Sequence, residues 1–200
     1  MTRLLKEKLA STFDQIETFD FPHYESVAGG LVGRILNSKT VVVQREKTER
    51  GWLNLSSGNR SPDHALLLQC AMIVNRLEYL DVIEGFEDDG DCLLILDRYY
   101  LSGIVYGQAD GLDREWLYKV HASLPEPDLF FVLDIPVEES VRRRPERRDY
   151  YEKNLEKLER VRALYLDEAS TDPGGTIVVD ATRSPEEVAN VIAAHIVRAR

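Results

Sequence analysis

Asp97 and Arg98 are the first residues from which chemistry can be argued, because they stand directly after the unbroken apolar run at 92–96 (CLLIL). Such a run marks a strand buried on both faces, and in an open parallel sheet ligands bind beyond the carboxyl ends of the strands. A carboxylate there can hold Mg2+ directly or through water, and a guanidinium can grip a phosphate with two parallel hydrogen bonds. The plainer alternative is a salt bridge capping the strand. Arg76 follows Met72 by four residues, so on a helix the two project from one face. The flexible thioether can cover the flat face of a base while arginine's fork reads its edge; otherwise the methionine belongs to the core and the arginine to the surface. Residues 142–148 read RRRPERR, five arginines in seven positions interrupted by Pro145. Charge runs are usually solvated faces, but a cluster of arginine without lysine points to oxyanion contacts and to a segment that closes over a polyphosphate.

These groups need a scaffold, and the hydrophobic pattern supplies one. The run at 92–96 has two counterparts, 129–133 (LFFVL) ending in Asp134 and 176–179 (TIVV) ending in Asp180. Three such strands separated by helical segments predict a parallel α/β sheet flanked by helices. Residues 3–10 pattern as a helix, and 15–21 as a strand stopped by Pro22. Residues 26–37 place Val27, Leu31, Ile35 and Leu36 on one helical face after Ser26 as N-cap. Residues 38–60 read as a long loop or short hairpin. Ser61, Pro62 and Asp63 open a helix that the apolar pattern carries to about Ile83. Ser184, Pro185 and Glu187 begin the last helix, 184–198, with a capping box. No repeat or linker divides the chain, so the expectation is a single domain over 1–200.

The 200 residues carry 35 acidic and 25 basic side chains, a formal charge of -10. That balance argues against a surface that binds DNA, RNA or an anionic membrane all over, and leaves room for a local basic site. No apolar stretch reaches the length of a membrane span, and the first residues lack the apolar core of a signal peptide. Cys70 and Cys92 form no CxxC and no zinc pattern, which fits a reducing, cytoplasmic setting.

The segment DRYYLSGIVYGQADGLDREWL, followed by LPEPDLFFVLDIPVEESVRRR, resembles the thymidylate kinase family, whose pattern is DRY, S-x-x-A-Y, GL-x-x-x-W and then L-x-x-PDL-x-x-x-LD. The likeness extends through FPHYES with Gly33, Leu67-Leu68 and Asn75-Arg76, and downstream through ERVRALYL and VVDATRSPEEV. The resemblance implies a P-loop NTPase-like sheet and transfer of phosphate from ATP to dTMP, with Mg2+. By it, Arg98 grips the acceptor 5'-phosphate, and Asp97 positions Mg2+ and the donor phosphates. Arg76 meets the pyrimidine edge, Met72 lies against the base, and Tyr106 presses on the sugar and selects deoxyribose. Pro22, Tyr24 and Gln108 belong to the acceptor site. Residues 142–152 are the lid, with Arg143, Arg147 and Arg148 toward the donor and Tyr151 toward the acceptor. The resemblance also admits a homodimer.

The sequence departs from the family pattern in three places. His23 and Tyr24 stand where many members carry an arginine, and Tyr106-Gly107-Gln108 replaces a Y-Q-G order. The phosphate cradle G-x-x-x-x-G-K-[ST] is not found, for no glycine is followed by lysine. Gly29, Gly30 and Gly33 do not replace it, since Arg34 takes the lysine's place. The chain begins at the helix that follows the loop in the family, so the first, central strand is expected to be missing. Either the start codon is assigned late and the complete protein is a kinase, or the protein only binds nucleotides in a regulatory role. Unpaired groups in a sheet core cost about 1 to 3 kcal/mol each, which favours the first. A kinase for another deoxynucleotide or deoxynucleoside is the remaining alternative.

Overall fold

The computed structural model describes residues 1–37, 62–86, 91–143, 154–172 and 175–200. In chain order the elements are α1 (Thr2–Leu9), β1 (Gln15–Asp20), α2 (Val27–Asn37), α3 (Pro62–Leu77), α4 (Leu80–Glu84), β2 (Cys92–Asp97) and α5 (Tyr100–Ala109). They continue with α6 (Arg114–His121), β3 (Phe130–Asp134), α7 (Val137–Arg143), α8 (Leu155–Thr171), β4 (Thr176–Asp180) and α9 (Pro185–Ala199). The fold is α/β, its strands flanked by helices, and it divides into two compact units. One comprises Met1–Phe19, Leu80–Asp97 and Pro125–Arg200; the other comprises Asp20–Tyr79 and Arg98–Leu124. The loop or hairpin expected at 38–60 and the lid beyond Arg143 lie outside the described residues.

In the first unit β3 and β4 run parallel, with Phe130 opposite Thr176 and Asp134 opposite Asp180. The strands β1 and β2 form a second pair. One layer, built by α1 and α9, serves both pairs. Leu5, Val179, Val188, Ala189 and Ile192 make a buried cluster against which Ile95, Phe131 and Ile177 pack. Leu9, Phe13 and Ile16 make another, again touched by Ile95. The helix α9 starts as its sequence dictates: Ser184 Oγ accepts from Glu187 N, and the Glu187 carboxylate accepts from Ser184 N. Two orphan donors of the first turn are thereby satisfied.

The strands are less enclosed than their composition suggests. No residue of β2 is fully buried, and β3 and β4 bury only Val132 and Val179. Leu133 and Val178 remain exposed. The expectation of strands buried on both faces is corrected here. Among the described residues the strands pair only in twos, so each has a neighbour on one side alone and its side chains are half covered.

The second unit is helical. The helix α2 packs on α3, α3 on α5, and α5 on α6. The buried face of α2 is Ala28, Val32, Ile35 and Leu36, whereas Val27 is 90% exposed and Leu31 is exposed too. Val27 and Leu31 were expected inside. The segment is apolar nearly all round, so periodicity admits two faces, and the one carrying small Ala28 approaches α3. The long helix expected to reach about Ile83 ends at Leu77, with α4 following separately. The break falls where Glu78 turns to the start of α2, accepting from Ala28 N at 3.0 Å, and where the Tyr79 ring packs on Phe21 and His23.

Candidate functional site

The residues expected to meet an acceptor all belong to the second unit: Pro22, Tyr24, Met72, Arg76, Arg98, Tyr106 and Gln108. Arg98 is exposed and directly precedes buried Tyr99, on which α5 begins. Its backbone is left-handed, with φ 60, a conformation uncommon for any residue with a side chain. Arg76 holds this turn. The residue is 2% exposed; Nη2 donates to the carbonyls of Arg98 and Tyr99, both at 3.1 Å, and Nη1 donates to Met72 O at 3.2 Å. Its charge lies 5.9 Å from the centre of the Phe21 ring. The alternative of a surface arginine beside a core methionine is reversed, since Arg76 is buried and Met72 half-buried.

Close packing of α5 on α6 completes this wall. A Cβ at Gly107 would lie 2.6 Å from Leu117, and one at Gly103 would lie 2.5 Å from His121 Nε2 and 3.3 Å from Arg76 Nη1. His121 is buried, with Nδ1 2.7 Å from Leu117 O. Nδ1 therefore carries the proton, and Nε2 has no hydrogen-bond partner among the described residues. Burial, aided by the Arg76 charge and opposed by the Leu117 carbonyl, lowers its pKa from 6.5 to about 4. Near neutral pH it is an uncharged ring beside a fixed cation. Tyr106 and Gln108 lie on α5, both half-buried.

A polar network ties the segment after β1 to α3. Buried Asn75 accepts from His23 N at 2.9 Å and donates to Ser26 Oγ at 2.8 Å; Ser26 donates to the Glu78 carboxylate at 2.6 Å. Ser26 also accepts from Gly29 N at 3.0 Å, the expected N-cap of α2. Burial pushes the Glu78 carboxyl up, but hydrogen bonds from Ser26, Ala28 and Asn75 outweigh it and the pKa is lowered. Pro22, at a cis peptide bond, and exposed Tyr24 sit on the loop this network fixes. Glu78 and His121 were missed by sequence reasoning. A short-range pattern shows neither, because Glu78 serves a residue 50 positions away.

All four strands end in aspartate, and of the three that follow an apolar run, Asp97, Asp134 and Asp180, two are committed. Asp134 is held bidentately by Arg162 at 2.6 and 3.1 Å. Asp180 accepts from Thr182 N and Oγ1, which lower its pKa. Asp97 is exposed, and its carboxylate enters no hydrogen bond or ion pair among the described residues. It fits a Mg2+ ion, which is bound by one or two carboxylates and otherwise by waters and substrate phosphates. Arg143 is engaged at the end of α7: Nε donates to Glu139 at 2.6 Å, Nη1 to Ala181 O at 2.8 Å and Nη2 to Thr182 O at 2.5 Å. It braces the turn after β4. The same Glu139 takes two bonds from Arg142, and the two arginines lower its pKa to about 2. Arg147, Arg148 and Tyr151 lie outside the described residues. A cavity of about 130 Å³ opens at the end of β3, lined by Val132, Leu133, Leu158 and Val161 beside the Asp134–Arg162 pair. It is too small and too apolar for a nucleotide, which needs roughly 300 Å³ or more.

A family profile described as thymidylate kinase matches residues 1–192. A probable thymidylate kinase of Saccharolobus solfataricus is 38% identical over 96 residues, 48% of this chain and 50% of that protein. The thymidylate kinase of Dictyostelium discoideum is 32% identical over 138 residues, 69% of this chain and 60% of that protein. The chain spans about half to two thirds of the length of these relatives. A solved structure of thymidylate kinase from Candida albicans superposes with a TM-score of 0.69 at 20% identity, covering 98% of this chain and 86% of that one; at that identity the likeness is one of fold.

Proposed function

The chain belongs to the thymidylate kinase family, and on that premise we propose that it carries the acceptor half of a deoxynucleoside monophosphate kinase. The γ-phosphoryl group of ATP passes to a 5'-phosphate oxygen of dTMP, giving ADP and dTDP. The observation that carries this reading is Arg98, exposed on a left-handed turn whose carbonyls Arg76 holds.

Such a transfer asks the protein for positioning and charge stabilisation rather than covalent chemistry. In this reading Arg98 grips the acceptor phosphate, Tyr106 excludes a 2'-hydroxyl, and Met72 lies against the base with Gln108 near its edge. Pro22 and Tyr24 close the loop side. Asp97 would hold Mg2+, which neutralises charge developing on the donor phosphates. Arg147 and Arg148 would approach the donor, and Arg143 would do so on releasing the carbonyls it braces. The resemblance assigns Tyr151 to the acceptor site. The account requires a glycine–lysine loop that the 200 residues do not carry, supplied by further chain. The sequence departure also supports a second reading, a nucleotide-binding protein without transfer.

An ADP-release assay with dTMP separates the two. The 200-residue chain alone should turn over very slowly, and adding a segment that bears the loop should raise the rate by orders of magnitude. No rise with the loop in place would favour binding alone. The homodimer belongs to this proposal as well. The outer face of α3 presents Leu66, Cys70, Val74 and Leu77 at helical spacing, and α2 adds Val27 and Leu31, all exposed. Val74→Asp should convert a sedimenting dimer to monomer; an unchanged sedimentation coefficient would remove this face from consideration.

A further inference from the structure

Gly29, Gly30 and Gly33 make no phosphate cradle, yet two of the three meet the segment after β1. A Cβ at Gly29 would lie 1.7 Å from His23 O and 2.9 Å from Tyr24 Cα, so only a bare Cα lets that segment run this close to α2. A Cβ at Gly33, one turn on, would lie 3.3 Å from Tyr24 Cδ1 and 3.6 Å from Cε1, and among the described residues it would meet no other atom outside its own helix within 4 Å. Gly30 faces open space, with nothing within 4 Å of such a Cβ. One edge of the Tyr24 ring therefore rests on a bare turn of α2, while the residue stays 51% exposed.

The backbone just before Tyr24 is fixed from α3. Buried Asn75 accepts from His23 N at 2.9 Å and donates to His23 O at 3.3 Å, so one amide spans both main-chain groups of that residue. The His23 ring is engaged as well, edge-on to Tyr79 with centres 5.2 Å apart and with Nδ1 3.9 Å from Asp20. Of the two residues that stand in place of the family's arginine, His23 is committed to its neighbours and Tyr24 is the exposed one. We infer that Gly33 is a positioning residue, seating the Tyr24 ring on α2 so that the phenol is presented to the acceptor, whose phosphate a hydroxyl can donate to. The inference rests on the acceptor-site reading above, and it accounts for a glycine in the body of α2, where a better helix former would otherwise serve.

The test is calorimetry with dTMP on the full 200-residue chain. Gly33→Val puts a stiff branched side chain where the ring lies, and it should weaken dTMP by about tenfold, the scale of one hydrogen bond to a charged group. Gly30→Val enters open space on the same helix and should bind as the parent does. Tyr24→Ala should bind as weakly as Gly33→Val, and combining the two should cost nothing further. Parental affinity in Gly33→Val or in Tyr24→Ala would overturn the inference, as would a further loss in the double variant or an equal loss in Gly30→Val. A thermal melt of Gly33→Ala separates positioning from packing: its Tm should be no lower than the parent's, because an exposed ring can give way and alanine is the better helix former. A lower Tm would make Gly33 a packing residue and overturn the inference too. Should Gly33→Val not fold, Gly33→Ala takes its place in the affinity comparison. If the parent bound no dTMP, the acceptor reading itself would fall and take this inference with it.

Discussion

Acid should destabilise the protein through His121 before the bulk of its carboxylates titrate. The ring is buried, and its pKa is lowered from 6.5 to about 4, chiefly by burial, with Arg76 adding repulsion. As pH falls, the unfolded chain takes up the proton near 6.5, while the native chain refuses it until about 4. The unfolded state binds more protons across that window, so stability falls as pH falls and returns as pH rises. At about 1.4 kcal/mol per pH unit, the gap is worth about 3 kcal/mol in full, and about 2 kcal/mol between pH 7 and pH 5. That is a large share of the roughly 5 to 15 kcal/mol typical of a domain. Urea unfolding at pH 7 and pH 5 measures it, with His121→Gln as the non-titrating control. Groups other than His121 titrate alike in both chains and cancel in the comparison. The parent should lose about 2 kcal/mol more than the variant on acidification. Equal losses in the two chains would refute the reasoning and place the imidazole in contact with solvent.

Gly103→Ala should destabilise the protein by about 1 to 2 kcal/mol in a thermal melt, because a crowded methyl costs about 1 to 3 kcal/mol while the helix gains up to about 1; a raised Tm would show that His121 and Arg76 yield without strain. Ser184→Ala should cost about 1 kcal/mol by urea unfolding through loss of the α9 capping box; no change would mean the box is idle. Tyr106→Ala should narrow the ratio of dissociation constants between dTMP and its ribose counterpart. If that ratio is unchanged in an intact fold, Tyr106 is a packing residue.

The sequence was most informative where one local rule decided the outcome. Apolar runs closed by aspartate marked β2, β3 and β4 within a residue. Ser184, Pro185 and Glu187 marked the start of α9, because a capping box is complete within four residues. Legibility failed where partners lie far apart in the chain. Arg76 looks like a surface residue until the carbonyls of 98 and 99 come to it, 22 and 23 positions away. Apolarity carried the long helix past 78, since nothing nearby shows that the Glu78 carboxylate is used at the start of α2. Half-exposure of β2 was equally hidden, because a strand's composition does not say how many neighbours it has.

The central claim is that Arg98 anchors an acceptor phosphate. Titrating dTMP into the parent chain and into Arg98→Ala, with a thermal melt of each, tests it most directly. The account expects saturable binding by the parent, none detectable by the variant, and unchanged melting, because the side chain is exposed and Arg76 bonds the backbone of the turn. Equal affinity of the two chains for dTMP would contradict it.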